Sequence, residues 1–208
     1  MKFEVLCRDP QILLVPDFVS EHEAQYLMAA GDRVMQRSTV VCDQPGGCVD
    51  PRRTSESAHL GDDPAIEPIR DRARYFSRLR SCETLQVVRY YPGQEFKPHL
   101  DGFDIATKEG KREIREKGQR GATFLVYLNE PEAGGATVFP QAGISVLPKK
   151  LAAVFWRHQL PNGQLDPKML HGGAPVTKGV KYAMNVWLRL PRVRPGVQIN
   201  SQLTPAVA

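Results

Sequence analysis

The apolar positions of this chain change period near residue 85. Before it, the pattern is helical. The stretch "SEHEAQYLMAAGDRVM", residues 20–35, opens with Ser20 and carries Glu23 three positions on, a capping-box spacing. Tyr26, Leu27, Ala30 and Val34 then recur at helical intervals. A second helix fits "DPAIEPIRDRARYFSRL", residues 63–79, with Ile66, Ile69, Ala73, Phe76 and Leu79 on one face. Pro64 and Pro68 fall near its start, where proline is tolerated. From residue 85 the period becomes two. "LQVVRYY", "EFKPHLD", "ATFLVYLNE", "GATVFPQ", "ISVLP", "LAAVFWRH", "APVT" and "KYAMNVWLRL" read as short strands, separated by Gly, Pro and Asn. Helices followed by many antiparallel-looking strands predict an α+β fold, a jelly roll of paired sheets with N-terminal supporting helices. The charged stretch "TKEGKREIREKGQR", residues 107–120, interrupts the strands as a solvated loop or short helix. There is no internal repeat, and 208 residues predict a single domain spanning 1–208.

Composition narrows the classes of function. The net charge of +5 suits acidic small molecules or an anionic partner, but a solvated basic surface accounts for it equally. No basic run is interleaved with aromatic residues, so nucleic acid is not expected as a partner. No run reaches the length of a membrane span, and "MKFEVLCRDPQILLVPDF" lacks the apolar core of a secretion signal. These features predict a cytoplasmic protein. Cys7, Cys42, Cys48 and Cys82 form no CxxC pair and read as free thiols, Cys42 and Cys48 being the one pair a turn could bridge.

The chemistry concentrates in "EFKPHLDGFD", residues 95–104. In an extended chain His99 and Asp101 share a face and converge on one point. Of the other histidines, His22 lies between two glutamates on a helix surface, and His59 has no evident partner. His158 ends an apolar strand and reads as structural. His171, in "KMLHGGAPV", is followed by two glycines that permit close backbone approach. His99, Asp101 and His171 supply the two imidazoles and one carboxylate of a facial triad, which leaves coordination positions open on Fe(II). An HxD spacing alone is often accidental. The last strand adds weight: Lys181, Ala183, Asn185, Trp187 and Arg189 alternate with the apolar Tyr182, Met184, Val186, Leu188 and Leu190. Two cations, an amide and an indole suit a polar cavity, and an inward lysine calls for an anion such as a small dicarboxylate. A solvated strand face is the plainer alternative.

Three blocks taken in order, "QVVRYYPGQEFKPHLD", "RGATFLVYLNEPEAGGATVFP" and "LHGGAPVTKGVKYAMNVWLR", resemble the prolyl 4-hydroxylase type of Fe(II)- and 2-oxoglutarate-dependent dioxygenases. Upstream, "ILLVPDFVSEHEAQYL" and "PRRTSES" resemble that family's entry segment and Arg-x-Ser element, so the likeness covers about residues 10–190. The resemblance implies a double-stranded β-helix with a catalytic core at about 85–191. It implies His99, Asp101 and His171 as iron ligands, and Lys181 as partner of the far carboxylate of 2-oxoglutarate. Tyr90 and Thr137 would bond that same end, and Thr123 would lie near the cofactor. Arg120, Trp187 and Arg189 would line the substrate channel, with Phe96 on its wall and Arg53, Thr54 and Ser55 in a segment folding over a peptide. The implied cofactors are Fe(II), 2-oxoglutarate and O₂, with ascorbate as an accessory reductant.

Three positions bear on specificity. Phe96 stands where many relatives carry Tyr, which removes a hydroxyl from the substrate wall. Tyr182 replaces a frequent Trp, on the packing face. Asp101 is retained, which favours hydroxylation over the halogenation of relatives lacking that carboxylate. The expected activity is hydroxylation of a prolyl residue in a peptide or protein, with release of succinate and CO₂. The alternatives are a hydroxylase of a free amino acid or other small molecule, a non-catalytic sensor holding metal and 2-oxoglutarate, and a cupin-like isomerase or lyase indifferent to 2-oxoglutarate.

Overall fold

The computed structural model describes residues 1–42, 44, 46–61 and 63–192. The end of the expected single domain, residues 193–208, lies outside the described residues, as do Asp43, Pro45 and Asp62. In chain order the elements are β1 (Glu4–Cys7), β2 (Ile12–Val15), α1 (Glu21–Asp32), β3 (Gln36–Arg37), β4 (Glu56–Leu60) and α2 (Glu67–Ser77), entered through a 3₁₀ turn at Pro64–Ile66. There follow β5 (Ser81–Cys82), β6 (Leu85–Tyr90), β7 (Phe96–His99), α3 (Lys108–Lys117), β8 (Arg120–Tyr127), β9 (Ala133–Gly134), β10 (Thr137–Phe139) and β11 (Ile144–Val146). The last are β12 (Ala153–Arg157), β13 (His171–Gly173), β14 (Val176–Lys178) and β15 (Lys181–Arg189).

The main sheet runs β1-β2-β12-β8-β15-β6-β4-β3, with β5 also on β15. A smaller sheet, β11-β10-β13-β7, faces it, and β14 pairs with β9. Every pairing is antiparallel. This is a jelly roll of two sheets with helices on one outer face, an α+β arrangement.

Strand alternation splits the main sheet's side chains between two cores. Leu13, Val87, Phe124, Phe155, Met184 and Val186 pack with Leu27, Ile66, Ile69 and Ala73 of the helical layer. Their neighbours Leu14, Val88, Tyr127, Trp156 and Ala183 face inward, toward Phe139, Val146 and Met169. One face of each strand thus holds the fold together, and the other is left to shape a cavity.

The first 84 residues are less helical than their pattern predicts. β1 through β5 precede residue 85, and β2 and β4 are integral to the main sheet. The four residues of β2, "ILLV", are buried on both faces, and a short apolar run has no alternation to reveal a strand. α1 has the expected capping box: Glu23 N–H donates to Ser20 Oγ, 3.2 Å, and Ser20 N–H to Glu23 Oε2, 2.8 Å. Its buried face is Ala24, Leu27 and Gly31; of the predicted Tyr26–Leu27–Ala30–Val34 set, Leu27 is buried and Ala30 packs against the core. Tyr26 and Val34 are exposed, and the helix ends before Val34. Val87 explains the difference, lying so close to Gly31 that a Cβ there would sit 3.1 Å from it. In α2 and its entry turn the predicted Ile66, Ile69, Ala73 and Leu79 are buried, and Phe76 packs on the same core.

The 107–120 stretch folds as α3, capped by Thr107 Oγ1, which accepts from Gly110 N–H at 3.0 Å. Cys7 and Cys82 are free thiols, but Cys42 and Cys48 are not. Val40 and Cys48 pair as a β-bridge, which brings the Cys42 and Cys48 Cα atoms to 5.9 Å, and the two form a disulfide. Among the described residues no helix is long and apolar enough to cross a membrane.

Candidate active site

The antiparallel register of β7 against β13 sets His99 opposite His171, with ring centroids 4.5 Å apart. Asp101 follows β7 by two residues and turns back between them. Its Oδ1 lies 3.7 Å from His99 Nε2, and its Oδ2 3.6 Å from His171 Nε2. One ligand atom from each of the three residues falls within 4.8 Å of the others. Backbone groups orient both rings: His99 Nδ1–H donates to the Lys97 carbonyl and His171 Nδ1–H to the Met169 carbonyl, each at 2.9 Å. That fixes the tautomer and leaves each Nε2 lone pair facing Asp101. Phe96 stacks on His99, centroids 3.7 Å apart, and Trp156 meets His171 edge-on at 4.6 Å.

Protonation suits metal binding. Burial, with His171 adjacent, pushes the His99 imidazole down to about 3, so it is neutral and free to ligate at neutral pH. Asp101 is held well below the usual carboxylate range. Burial opposes its charge, but the His171, His99 and His158 imidazoles and the Arg120 guanidinium outweigh that effect.

Behind the triad lies a small inner cavity. It is lined by Tyr90, Phe96, His99, Asp101, Thr137, His171 and Lys181, with Trp156 and Trp187. Lys181 is only 3% exposed and has no carboxylate partner among the described residues; its Nζ donates to the Gly135 carbonyl at 2.7 Å. Burial lowers its ammonium to about 7. The Tyr90 and Tyr127 rings flank Nζ at 5.6 and 5.4 Å, and Thr137 Oγ1 accepts from Tyr127 Oη at 2.8 Å. Among the described residues the buried indole N–H groups of Trp156 and Trp187 have no partners. A buried lysine and two orphaned donors around one cavity, with a His-Asp-His cluster at its end, match a small dianion bound beside a divalent metal.

The cavity opens onto a groove of about 1310 Å³, lined among others by Arg53, Phe96, Arg112, Arg120, Trp187 and Arg189. Three of its cations are tied down. Arg53 is buried, donating to Gln86 Oε1 at 2.9 Å and the Thr39 carbonyl at 3.0 Å, and lies over the Phe96 ring at 4.9 Å. Arg120 donates to both oxygens of Glu83, at 2.7 and 2.9 Å, and stacks on Trp187 at 3.8 Å. Arg189 bridges Glu83, 2.7 Å, and Glu113 of α3, 3.1 Å.

The strand alternation expected for β15 holds. Lys181, Asn185, Trp187 and Arg189 face the cavities, while Tyr182 packs toward the helices and bonds Asp32. Thr123 adjoins the expected metal site through Asp101. It does not line the inner cavity but sits behind Asp101, bonded to its Oδ2 at 2.6 Å and to His158 Nε2 at 2.8 Å. β8 carries Thr123 on the inner face, where Asp101 is the nearest charge. The sequence marked His158 only as structural and did not mark Glu83 at all. The sharing of one strand face by Trp156 and His158 was the available signal for the first. Glu83, in a short connection, gave none.

A jelly roll with this cluster at one end of its smaller sheet defines a non-haem iron oxygenase class. The sequence model described as "2OG-Fe(II) oxygenase superfamily" matches residues 85–189. Prolyl 4-hydroxylase 5 of Arabidopsis thaliana is 36% identical over 213 residues, covering 90% of this chain and 71% of that protein. Prolyl 4-hydroxylase subunit alpha-3 of Homo sapiens is 38% identical over 192 residues, covering 89% of this chain and 35% of that subunit. The crystal structure of a viral collagen prolyl hydroxylase from Paramecium Bursaria Chlorella virus-1, in its 2OG complex, matches with a TM-score of 0.70 at 29% identity. It covers 89% of this chain and 99% of that one. The chain belongs to the 2OG-Fe(II) oxygenase superfamily and, within it, to the prolyl 4-hydroxylases.

Proposed function

We propose that this protein hydroxylates a prolyl residue of a peptide or protein, with Fe(II), 2-oxoglutarate and O₂. The observation that carries the reading is the juxtaposition of His99, Asp101 and His171 with the buried, unpaired Lys181 across one cavity. The triad would hold Fe(II), and Lys181 the distal carboxylate of 2-oxoglutarate, with Tyr90 and Thr137 beside it. The bound pair supplies the chemistry of C–H hydroxylation: substrate, O₂ and 2-oxoglutarate give alcohol, succinate and CO₂.

The chain's own residues bind, orient and exclude water. Lys181 would fix the co-substrate at one end, and the apolar flank of Val88, Leu125 and Ala183 keeps the cavity dry. The groove supports a polymeric substrate over a free amino acid, because its volume extends well beyond the inner cavity, from Thr39 and Val40 to α3. Trp187 and Phe96, at the junction of groove and cavity, would bracket a proline ring. The names of the relatives point the same way.

The test is succinate production from 2-oxoglutarate with Fe(II), comparing proline-containing peptides with free amino acids. Stimulation by peptides, with hydroxyproline found by mass spectrometry, supports the reading. Stimulation by a free amino acid alone replaces it with a small-molecule hydroxylase. Binding of metal and 2-oxoglutarate without turnover on any substrate replaces it with a sensor.

A further inference from the structure

We propose that the groove selects peptides carrying an acidic side chain near the target proline, with Arg112 of α3 as the direct partner of that carboxylate. The inference rests on the prolyl hydroxylase reading above and names the class of peptide that the site takes.

Eight Lys and Arg side chains line the groove against five carboxylates, and one of the five is the metal ligand Asp101. The other four are unevenly placed along α3. Asp104 and Glu109 stand at its N-terminal end. Glu83 and Glu113 stand among the cations, and both are shared. Glu83 takes Arg120 and Arg189, each at 2.7 Å, and Glu113 takes Arg189 at 3.1 Å and Lys117 at 3.2 Å. Three cations divide two carboxylates, so this wall is positive before its remaining arginines are counted.

Two further arginines line the same wall without a carboxylate partner among the described residues. Arg112 is half-buried on α3, and its Nη2 donates to the Cys42 carbonyl across the groove at 3.4 Å, a long bond. Neither Glu109, one turn earlier, nor Glu113, already engaged, pairs with it among the described residues. A guanidinium offers five N–H donors in a planar fork that takes both oxygens of a carboxylate. Most of that fork is unspent in Arg112. Arg192, exposed beyond β15, lies against Gly118, where an added Cβ would sit 3.9 Å from its Cγ. With Lys117 and Arg189 it makes the C-terminal end of α3 the basic end of the groove.

A peptide carboxylate between α3 and Cys42 meets an unspent guanidinium in a positive field. A peptide ammonium there meets only carboxylates already shared between cations. The groove therefore discriminates by charge, through attraction of one sign and repulsion of the other.

The experiment uses peptides of about nine residues with one central proline in a Gly, Ala and Gln background. One position at a time, on either side of the proline, is Glu, Gln or Lys. Binding to the full chain with Co(II) and 2-oxoglutarate is read by fluorescence anisotropy. The expected result is at least one position where Glu binds about fivefold or more tightly than Gln, and Lys more weakly than Gln. The preference should shrink at about 0.5 M salt, persist in Arg112→Lys and fall within about twofold of unity in Arg112→Gln. If no position favours Glu over Gln by more than about twofold, or the preference survives in Arg112→Gln, the proposal is overturned. Hydroxyproline after incubation with Fe(II) and O₂ is scored separately. Its absence from every peptide counts against the hydroxylase reading, while the binding preference still decides this proposal.

Discussion

His99 and His171 lie directly opposite one another on neighbouring strands, and their rings come within 4.5 Å centroid to centroid. Seventy-one residues of chain lie between them, and the pairing of β7 with β13 removes that distance. Gly172 makes the pairing possible. A Cβ at this position would lie 2.7 Å from the Phe96 carbonyl oxygen and 3.1 Å from Pro98 N. Gly172→Ala should therefore cost ~1–3 kcal/mol and weaken metal binding together. Gly61→Ala, with nothing within 4 Å of the added Cβ, should do neither. Thermal melts and Co(II) titration of the two variants check this, and equal behaviour would show that the strand contact does not hold the ligands.

Lys181 should set the demand for 2-oxoglutarate. A charge-assisted pair contributes roughly 1.5–3 kcal/mol, so Lys181→Ala should raise the 2-oxoglutarate requirement roughly tenfold or more. Fe(II) binding in its absence should hardly change, since Lys181 is no ligand. Isothermal titration of the anaerobic Fe(II) protein reads the first effect, and Co(II) titration the second. A normal 2-oxoglutarate affinity in the variant would place the distal carboxylate elsewhere.

The same lysine gives binding a pH dependence with a definite sign. Burial puts its ammonium at about 7 in the free protein, and a bound carboxylate raises it again. Below pH 7 the charged form is already present and no proton is needed. Above it, binding must take up a proton, and 2-oxoglutarate affinity should fall by up to about tenfold per pH unit. Titrations at pH 6.5 and 8.5, each in two buffers of different ionisation enthalpy, measure this proton uptake. Lys181→Gln should abolish it.

Glu83 is the shared counter-charge of Arg120 and Arg189. Removing one member of a buried ion cluster leaves the others uncompensated. Glu83→Gln should lower stability by about 3 kcal/mol, measured as a shift in urea midpoint at constant slope. It should also free Arg120 from its contact over Trp187 and raise the KM for peptide. Glu113→Gln should cost less, because Arg189 keeps Glu83 and the Gly118 carbonyl.

The chemistry was legible early, for a local reason. A strand puts i and i+2 on one face, so "PHLD" announces two converging ligands, and "KYAMNVWLRL" announces a strand with one polar and one packing face. The helices were legible from their caps and period, but the face of α1 was not. Which side of a helix is buried depends on what lies beneath it, and here Val87 against Gly31 decided. The sequence named Cys42 and Cys48 as the one pair a turn could bridge but favoured free thiols, because the bridge of Val40 to Cys48 that brings them together is a tertiary pairing.

The sequence by itself determined the types of residue available: imidazoles, a carboxylate, an inward lysine, and glycines where strands crowd. Their order along the chain was enough to mark the family. Only the tertiary structure decided which groups stand behind them. His158, Thr123 and Glu83 acquire their partners through strand register across 22 to 37 residues of chain. Local periodicity gives the direction a side chain points, whereas register alone gives what it meets.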